Sequence, residues 1–471
     1  MHSGTVGKRA GVKSVKQSEH GSWGPVTTRQ PNAGLERLYR ESGWTLRQFA
    51  QEVNRIGTER GTPLKYQQPS VHQWLSGHLP KEAVRPLILE ALARRLFRPI
   101  THADAGFPAP PEESNSHPTT VEGLVDLGRQ DMDPSRRSVL SAGLFSVALT
   151  VPGWPDVVGR MEAVQSGKTQ RIGMADVNMV IAMTERVSDL DDQFGGRHAR
   201  PMAAAFLVNT VAPYLRADAT EEVRKAMMSA ASDLCYLTGY MAVDEGVHGL
   251  AQQYYLKALE LAGASEDHLT YCTTLRGMSV QAVDLRHGKT AMRLADAAAS
   301  ASPQAGPRMR AFLAGQQAHA SAQLGERTKA LTYLREAEVA VEKAESQTKT
   351  FGSYNPSSLT YHAGQVRYEL GDIRGSVKDL EESDKLRHSS FKRNRIRYLS
   401  MLAERQLEIG HLESACATWV KVVEIYPDVQ SGQCDKAMST MQARIRPHLK
   451  NQTARSLYER ARLVTPPSVA V

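Results

Sequence analysis

QQPSVHQWLSGHLP (Gln67–Pro80) reads as a short polar helix with one apolar face. Pro69 fits the first helical turn, where a missing N–H leaves no bond unmade. Val71 and Trp74 stand three apart and share a face, with Leu75 four after Val71. Gly77 supplies the stop, and Pro80 opens the next segment. Ser70, His72 and Gln73 remain outward, with Gln67 and Gln68 at the leading end. Short polar side chains on so short a helix suit the floor of a DNA groove.

The flanking sequence gives this helix its neighbours. Leu35, Leu38 and Tyr39 form one amphipathic segment, GLERLYRESG, closed by Gly43. Thr45 is a suitable N-cap for TLRQFAQEVNRIG, in which Leu46, Phe49, Ala50 and Val53 recur at helical spacing. After Pro80, KEAVRPLILEALARRL predicts a further helix with Val84, Leu87, Ile88, Ala91 and Leu92 inward. With this helix order, and a third helix ending W-x-x-G-x-x-P, the chain resembles the Xre (lambda-repressor-like) helix-turn-helix family. It is most similar in style to actinobacterial members, which carry a longer link between the second and third helices, here IGTERGTPLKYQQ. The resemblance implies that the third helix enters the major groove while the start of the second packs on the phosphate backbone. A small helical bundle that packs against another protein is the plainer alternative for the same pattern.

Charge is distributed unevenly. The 471 residues carry a formal net charge of +8, from 58 Lys+Arg against 50 Asp+Glu. Residues 1–100 hold 16 Lys+Arg against 7 Glu and no Asp, so the whole excess lies there. That is the electrostatic footprint expected for phosphate binding. Cys235, Cys272, Cys416 and Cys434 are scattered without a C-x-x-C spacing, which predicts neither a zinc site nor a disulfide framework. The chain therefore reads as a reduced, cytoplasmic, nucleoid-associated protein. No apolar run reaches the roughly 18–20 residues that a membrane span requires.

In chain order, residues 1–30 place Lys8, Arg9, Lys13, Lys16 and Arg29 among Gly, Ser, Thr and Gln, as a disordered basic arm does. Residues 31–106 are the DNA-binding candidate, and 107–170, opening FPAPPEESN, read as a linker with an apolar segment. Within it Arg136-Arg137 precedes an apolar run in the manner of a twin-arginine export signal, but such signals lie at the N-terminus. Its apolar part is expected to pack on the second domain. Gln165–Gln170, QSGKTQ, lacks the glycine that a phosphate-binding loop needs at position 162, which is Glu.

From 171 to 465 almost everything reads as helix, rich in Ala, Leu, Glu, Arg and Gln. Gly246, Gly288, Gly325, Gly371 and Gly410 fall between helical segments at steps of 42, 37, 46 and 39. Ala251, Ala330 and Ala415 follow three of these by five residues, and Ala258 and Ala337 follow two by twelve. Gly239 and Gly364 precede two by seven. The copy at Gly288 is poor, with Arg293 in the alanine's place. Small residues at such points let antiparallel helices cross closely, and the spacing resembles the tetratricopeptide repeat, although its steps exceed the usual ~34 residues. An irregular bundle is the alternative.

The expected fold class is therefore all-α: a lambda-repressor-like helix-turn-helix domain followed by a tetratricopeptide-like α-solenoid. This arrangement is similar to actinobacterial regulators of differentiation and antibiotic production, the Nsd-type repressors included, and to the peptide-responsive quorum-sensing regulators of Firmicutes. Gln67, Gln68, Ser70, His72 and Gln73 are the candidate base contacts, since Gln pairs bidentately with adenine and Ser is permissive. Thr45, Arg47, Gln48 and Lys65 are the candidate phosphate contacts. One such module buries too little to bind tightly alone, which predicts a homodimer on a palindromic operator in double-stranded DNA, joined through the repeat domain. Asn209, Gln281, Gln317, Tyr361, His362, Arg397 and Tyr398 lie on first helices of the expected repeats and are the candidate lining of a groove for a signalling peptide or small molecule. A repeat scaffold whose helix-turn-helix contacts protein is the alternative function. No HExxH, GxSxG, complete P-loop or compact His/carboxylate cluster is present, so no catalysis, cofactor or metal is expected.

Overall fold

The computed structural model describes residues 31–59, 64–96, 100–108, 119–133, 171–301, 305–344, 354–386, 392–466 and 469. It is all-α. Among these residues the only extended pairing is an isolated bridge between Arg171 and Asp218. The basic arm, Arg136-Arg137 with its apolar run, and QSGKTQ lie outside the described residues.

Four helices build the first unit: α1 (Ala33–Ser42), α2 (Leu46–Glu59), α3 (Gln68–Leu75) and α4 (Arg85–Leu96). Leu35, Leu38, Phe49, Val53, Val71 and Trp74 are all buried, as are Val84, Leu87, Ile88, Ala91 and Leu92. The helical period predicted this core. Tyr39 and Trp44 complete it from the side by packing their rings on Phe49. The unit runs on past α4. Ala105 and Phe107 are buried, and a Cβ on Gly34 would meet the Gly106 nitrogen at 2.7 Å. Residues 100–107 therefore fold back over α1, and Phe107, expected to open the linker, is instead part of the core.

The expected linker also contains a helix. Thr119 and Glu122 form a reciprocal capping box at the start of α5 (Thr120–Met132). Leu124 and Leu127 are buried, and the helix packs on α7 (Gly196–Phe206), which forms an antiparallel pair with α6 (Met174–Phe194). Asp131 is fully buried there. It pairs with Arg200 and accepts a hydrogen bond of 3.0 Å from Tyr254. A π-turn, Leu207–Val211, carries α7 into the short α8 (Ala212–Leu215).

Helix hairpins follow: α9 (Glu221–Asp244) with α10 (His248–Ala264), and α11 (His268–Asp284) with α12 (Gly288–Ser300). Next come α13 (Pro307–Gln323) with α14 (Arg327–Glu342), and α15 (Pro356–Glu369) with α16 (Ile373–Lys385). The series ends with α17 (Lys392–Glu408) and α18 (Leu412–Ile425), then α19 (Gly432–Ile445) and α20 (Gln452–Val464). From α10 to α17, each second helix packs on the first helix of the next pair.

Five of the hairpin turns close in the same way, through one residue in the left-handed region: Gly246, Arg286, Gly325, Gly371 and Gly410. The next N–H then bonds five residues back, as His287 does to the Ala282 carbonyl and Asp372 to the Arg367 carbonyl, both at 2.8 Å. Gly288 is thus not the turn residue of its copy. It is the first residue of α12, and the left-handed position belongs to Arg286, φ 62°. Counted from Arg286, the copy that looked poor is regular. Ala291 and Ala298 take the small positions after the turn and Ser279 the one before; all three are fully buried, and Ser279 donates to the Ala291 carbonyl. Counted from Gly371, Ser376 and Ser383 take the two positions after the turn. The glycine and alanine pattern hides this regularity, because serine also serves as the small residue and a positive φ is not confined to glycine.

The hairpin series returns to its own beginning. Arg393, at the start of α17, is 1 % exposed and ion-paired to Asp191 at 2.8 Å, with Asp192 and Asp244 each at 3.4 Å. Ser431 donates to Asp244 at 2.8 Å, and Arg197 bridges Glu245 and Asp435 at 2.9 and 2.8 Å. Helices far apart in the chain are therefore joined by a polar seam rather than an apolar one.

Candidate nucleic-acid interface

Helix α3 is fixed from several sides. Beneath it Val71 and Trp74 enter the core, and Tyr66 meets Trp74 edge-on at 5.0 Å. At its leading end Asn54 of α2 takes both backbone groups of Tyr66: its Nδ2 donates to the carbonyl at 2.7 Å, and its Oδ1 accepts from the N–H at 2.8 Å. At its trailing end the Asn32 N–H donates to the Leu75 carbonyl at 3.0 Å. Gly77, φ 95°, reverses the chain, and the Arg85 guanidinium holds the Pro80 carbonyl at 3.0 Å. Sequence reading missed Asn54, Asn32 and Arg85 as positioning residues. Asn32, directly before an amphipathic run, was legible as an N-cap; Asn54 pairs across a twelve-residue gap that no local pattern marks.

The face that remains free is the one expected. Gln67, Gln68, His72 and Gln73 are exposed and Ser70 is half-buried. The start of α2 lies across a shallow cleft of about 410 Å³ from it, lined by Leu46, Gln68, Pro69, His72 and Gln73. Two of the candidate phosphate contacts are already committed to the helix. Thr45 Oγ1 accepts from the Gln48 N–H at 3.3 Å, while Gln48 Oε1 accepts from the Thr45 N–H at 2.9 Å and from its hydroxyl at 3.1 Å. This reciprocal cap leaves the Gln48 side-chain amide nitrogen outside the cap, beside the exposed Arg47. Lys65 is exposed on the link.

The seven residues expected to line one groove are divided among several places. Tyr361 and Tyr398 meet at 4.4 Å between ring centres, and Arg397 lies 3.6 Å from Asp284. Burial opposes charge on Arg397, but Asp284, Tyr240 and Tyr361 outweigh it and hold the guanidinium above its ordinary range. Side chains from α9, α11, α15 and α17 thus converge on one polar, aromatic patch between the first helices, with Tyr240, Tyr361, Arg397 and Tyr398 half-buried and Asp284 exposed. Gln281 is fully buried, its amide nitrogen donating to the His248 carbonyl at 2.9 Å. His362 is also buried, with its Nδ1 2.9 Å from the Tyr354 hydroxyl. Burial, together with Arg276 and His319, pushes its pKa well down, so the ring is neutral. Asn209 is exposed on the π-turn, away from these first helices in sequence and element. Gln317, donating to Asp296 at 2.8 Å, lines a separate cleft. Position on a first helix did not decide direction; the packing of the neighbouring pairs did.

All four cysteines are buried and none is in a disulfide. Among the described residues no group of three or more His, Cys, Asp or Glu is placed to hold a metal ion, and no helix is long and apolar enough to cross a membrane. A family model for the SP15 N-terminal domain matches residues 35–108. No curated protein matches the chain.

Proposed function

We propose that the protein is a sequence-specific DNA-binding transcription regulator. In this reading residues 31–107 are a helix-turn-helix domain of the Xre type, and the hairpins from Glu221 onward are a tetratricopeptide-like α-solenoid that binds a peptide, small molecule or protein partner. The observation that carries it is the presentation of α3. One face is locked by Val71, Trp74 and Tyr66, and the other holds Gln68, His72 and Gln73 exposed beside the α2 N-terminus. A helix fixed in this way presents base-reading side chains at a defined height above a phosphate-binding helix start. The positive excess of residues 1–100 supplies the non-specific attraction. The common register of small residues around five left-handed turns supports the repeat assignment. A homodimer reading two half-sites follows from the small area that one module buries on DNA. A ligand regulates such a protein only through unequal affinity for its DNA-competent and incompetent states.

The test is genome-wide capture of DNA by the purified protein and by an H72A/Q73A variant. Both residues are exposed, so the variant keeps the fold. Recovery of one palindromic motif, lost or altered in the variant, is expected. Sequence-blind recovery unchanged by the substitutions would reduce the first unit to a basic docking module.

A further inference from the structure

A second cleft, of about 590 Å³, opens between α12, α13 and α14. The reason for the space is local. Ala299, Ala305, Ala314 and Ala340 line it where larger side chains would fill the angle between successive hairpins. Its floor is apolar and shielded, with Ala305, Leu313 and Ala314 at 3, 4 and 6 % exposure. Val339 adds an apolar wall that is 42 % exposed. At the rim stand three cations, Arg310, Arg335 and Lys343, against one carboxylate, Glu336. Gln317 reaches the floor nine-tenths buried, its amide nitrogen already given to Asp296.

We infer that this cleft binds a small amphipathic anion, with its apolar body on the alanine-lined floor and its carboxylate among Arg310, Arg335 and Lys343. The volume suits a small molecule, since such sites run to about 300–1,000 Å³. The excess of cations selects the charge, and because all three stand exposed at the rim this selection weakens with added salt. A neutral ligand of the same shape gains the floor and forgoes the rim. The carbonyl oxygen of Gln317 is the polar group left at the floor to accept a donor from the ligand. The ligand's consequence for DNA binding rests on the reading of the repeat domain as a ligand-responsive element, but its binding does not.

The experiment uses the full chain and no DNA, so failure here and failure of the DNA reading are distinguishable. Anilinonaphthalene sulfonate, an apolar fluorophore with one anionic group, is titrated into the protein and competed with decanoate or with decanol. Saturable fluorescence gain, displaced by decanoate and far less by decanol, is expected. Ala314→Trp fills the floor and should abolish the gain. Arg310→Glu with Arg335→Glu, both at exposed positions, should weaken it roughly tenfold, or about 1.4 kcal/mol. Circular dichroism melts establish that each variant is folded, and the exposed pair keeps the test decisive if the tryptophan variant is not. Equal displacement by decanol would overturn the anion. Undiminished binding in both folded variants would overturn the site.

Discussion

Asn54→Ala removes the clip that holds the segment before α3, and its cost follows from two hydrogen bonds. The side chain bonds at 2.7 and 2.8 Å to the carbonyl and N–H of one residue, Tyr66. Each such bond contributes about 1 kcal/mol net, so losing the pair costs about 2 kcal/mol of local stability. That corresponds to about a 30-fold rise in the local opening equilibrium. Hydrogen exchange at the Tyr66 amide should therefore quicken about 30-fold while amides of α4 exchange as before, because the opening is local. Asn54→Asp separates the two bonds. The acceptor to the Tyr66 N–H survives, but a carboxylate oxygen now faces the Tyr66 carbonyl where an N–H had donated. The protonated acid can donate there and the carboxylate cannot, so folding raises the pKa of this group above its ordinary value of ~4. A raised carboxyl pKa makes stability greatest at low pH and diminishes it as pH rises through the folded value. The Asn54→Asp variant should thus exchange nearly like the parent at acid pH, and faster than the Asn54→Ala variant at neutral pH. Unchanged exchange in Asn54→Ala would refute the clip, and a pH-independent Asn54→Asp would refute the donor assignment.

Two further predictions concern the hairpin series. Gly325 has φ 75° and nothing within 4 Å of a Cβ placed on it, so Gly325→Ala isolates backbone strain from crowding. It should cost about 1–2 kcal/mol in a denaturant melt. Burial raises the Asp191 pKa from 3.8 to about 7 against the pull of Arg393, with Asp244 and Asp192 adding to the rise. Between those two values the folded state holds a proton that the unfolded chain has released, so stability falls as pH rises through that window. Thermal melts across it should slope less steeply in Asp191→Asn, and identical slopes would contradict the assignment.

The difference between what was legible in the sequence and what was not follows from the range of each interaction. The α1–α4 core repeats every three or four residues, a period visible in any single helix, and all of its principal members are buried as expected. Helix α5 was equally local. Thr119-x-x-Glu122 beside Val121, Leu124 and Val125 is a start signal, but the Pro-rich run upstream drew the whole stretch into a linker. Arg286 at a left-handed turn was hidden by chemistry rather than distance, since only the closing hydrogen bonds show that an arginine occupies the glycine position. The groove residues are a third case, for Gln281 and His362 turn out buried while Tyr361, Arg397 and Tyr398 stay partly open together. Whether Gln281 or Tyr361 faces a groove depends on how neighbouring hairpins pack on each other, which the register of small residues within a hairpin does not fix.

The packing of successive hairpins brings Arg393 to Asp191, and this bears on where a ligand can enter. Five carboxylates, Asp191, Asp192, Asp244, Glu245 and Asp435, meet two guanidiniums in the seam, so its bonds are paired but its charge is not balanced. Removing one partner from the buried Arg393, Asp191 and Asp244 group costs about 3–5 kcal/mol, whereas the half-exposed Arg197 contributes far less. Beside the seam Tyr240, Asp284, Tyr361 and Arg397 converge from four first helices and remain partly open to solvent. A small anion at the cleft of α12–α14 displaces nothing buried, yet its floor helix α13 packs on both α14 and α15. The next hairpin thus contacts the cleft's floor helix directly, which is the route by which the proposed ligand would act on the repeat series.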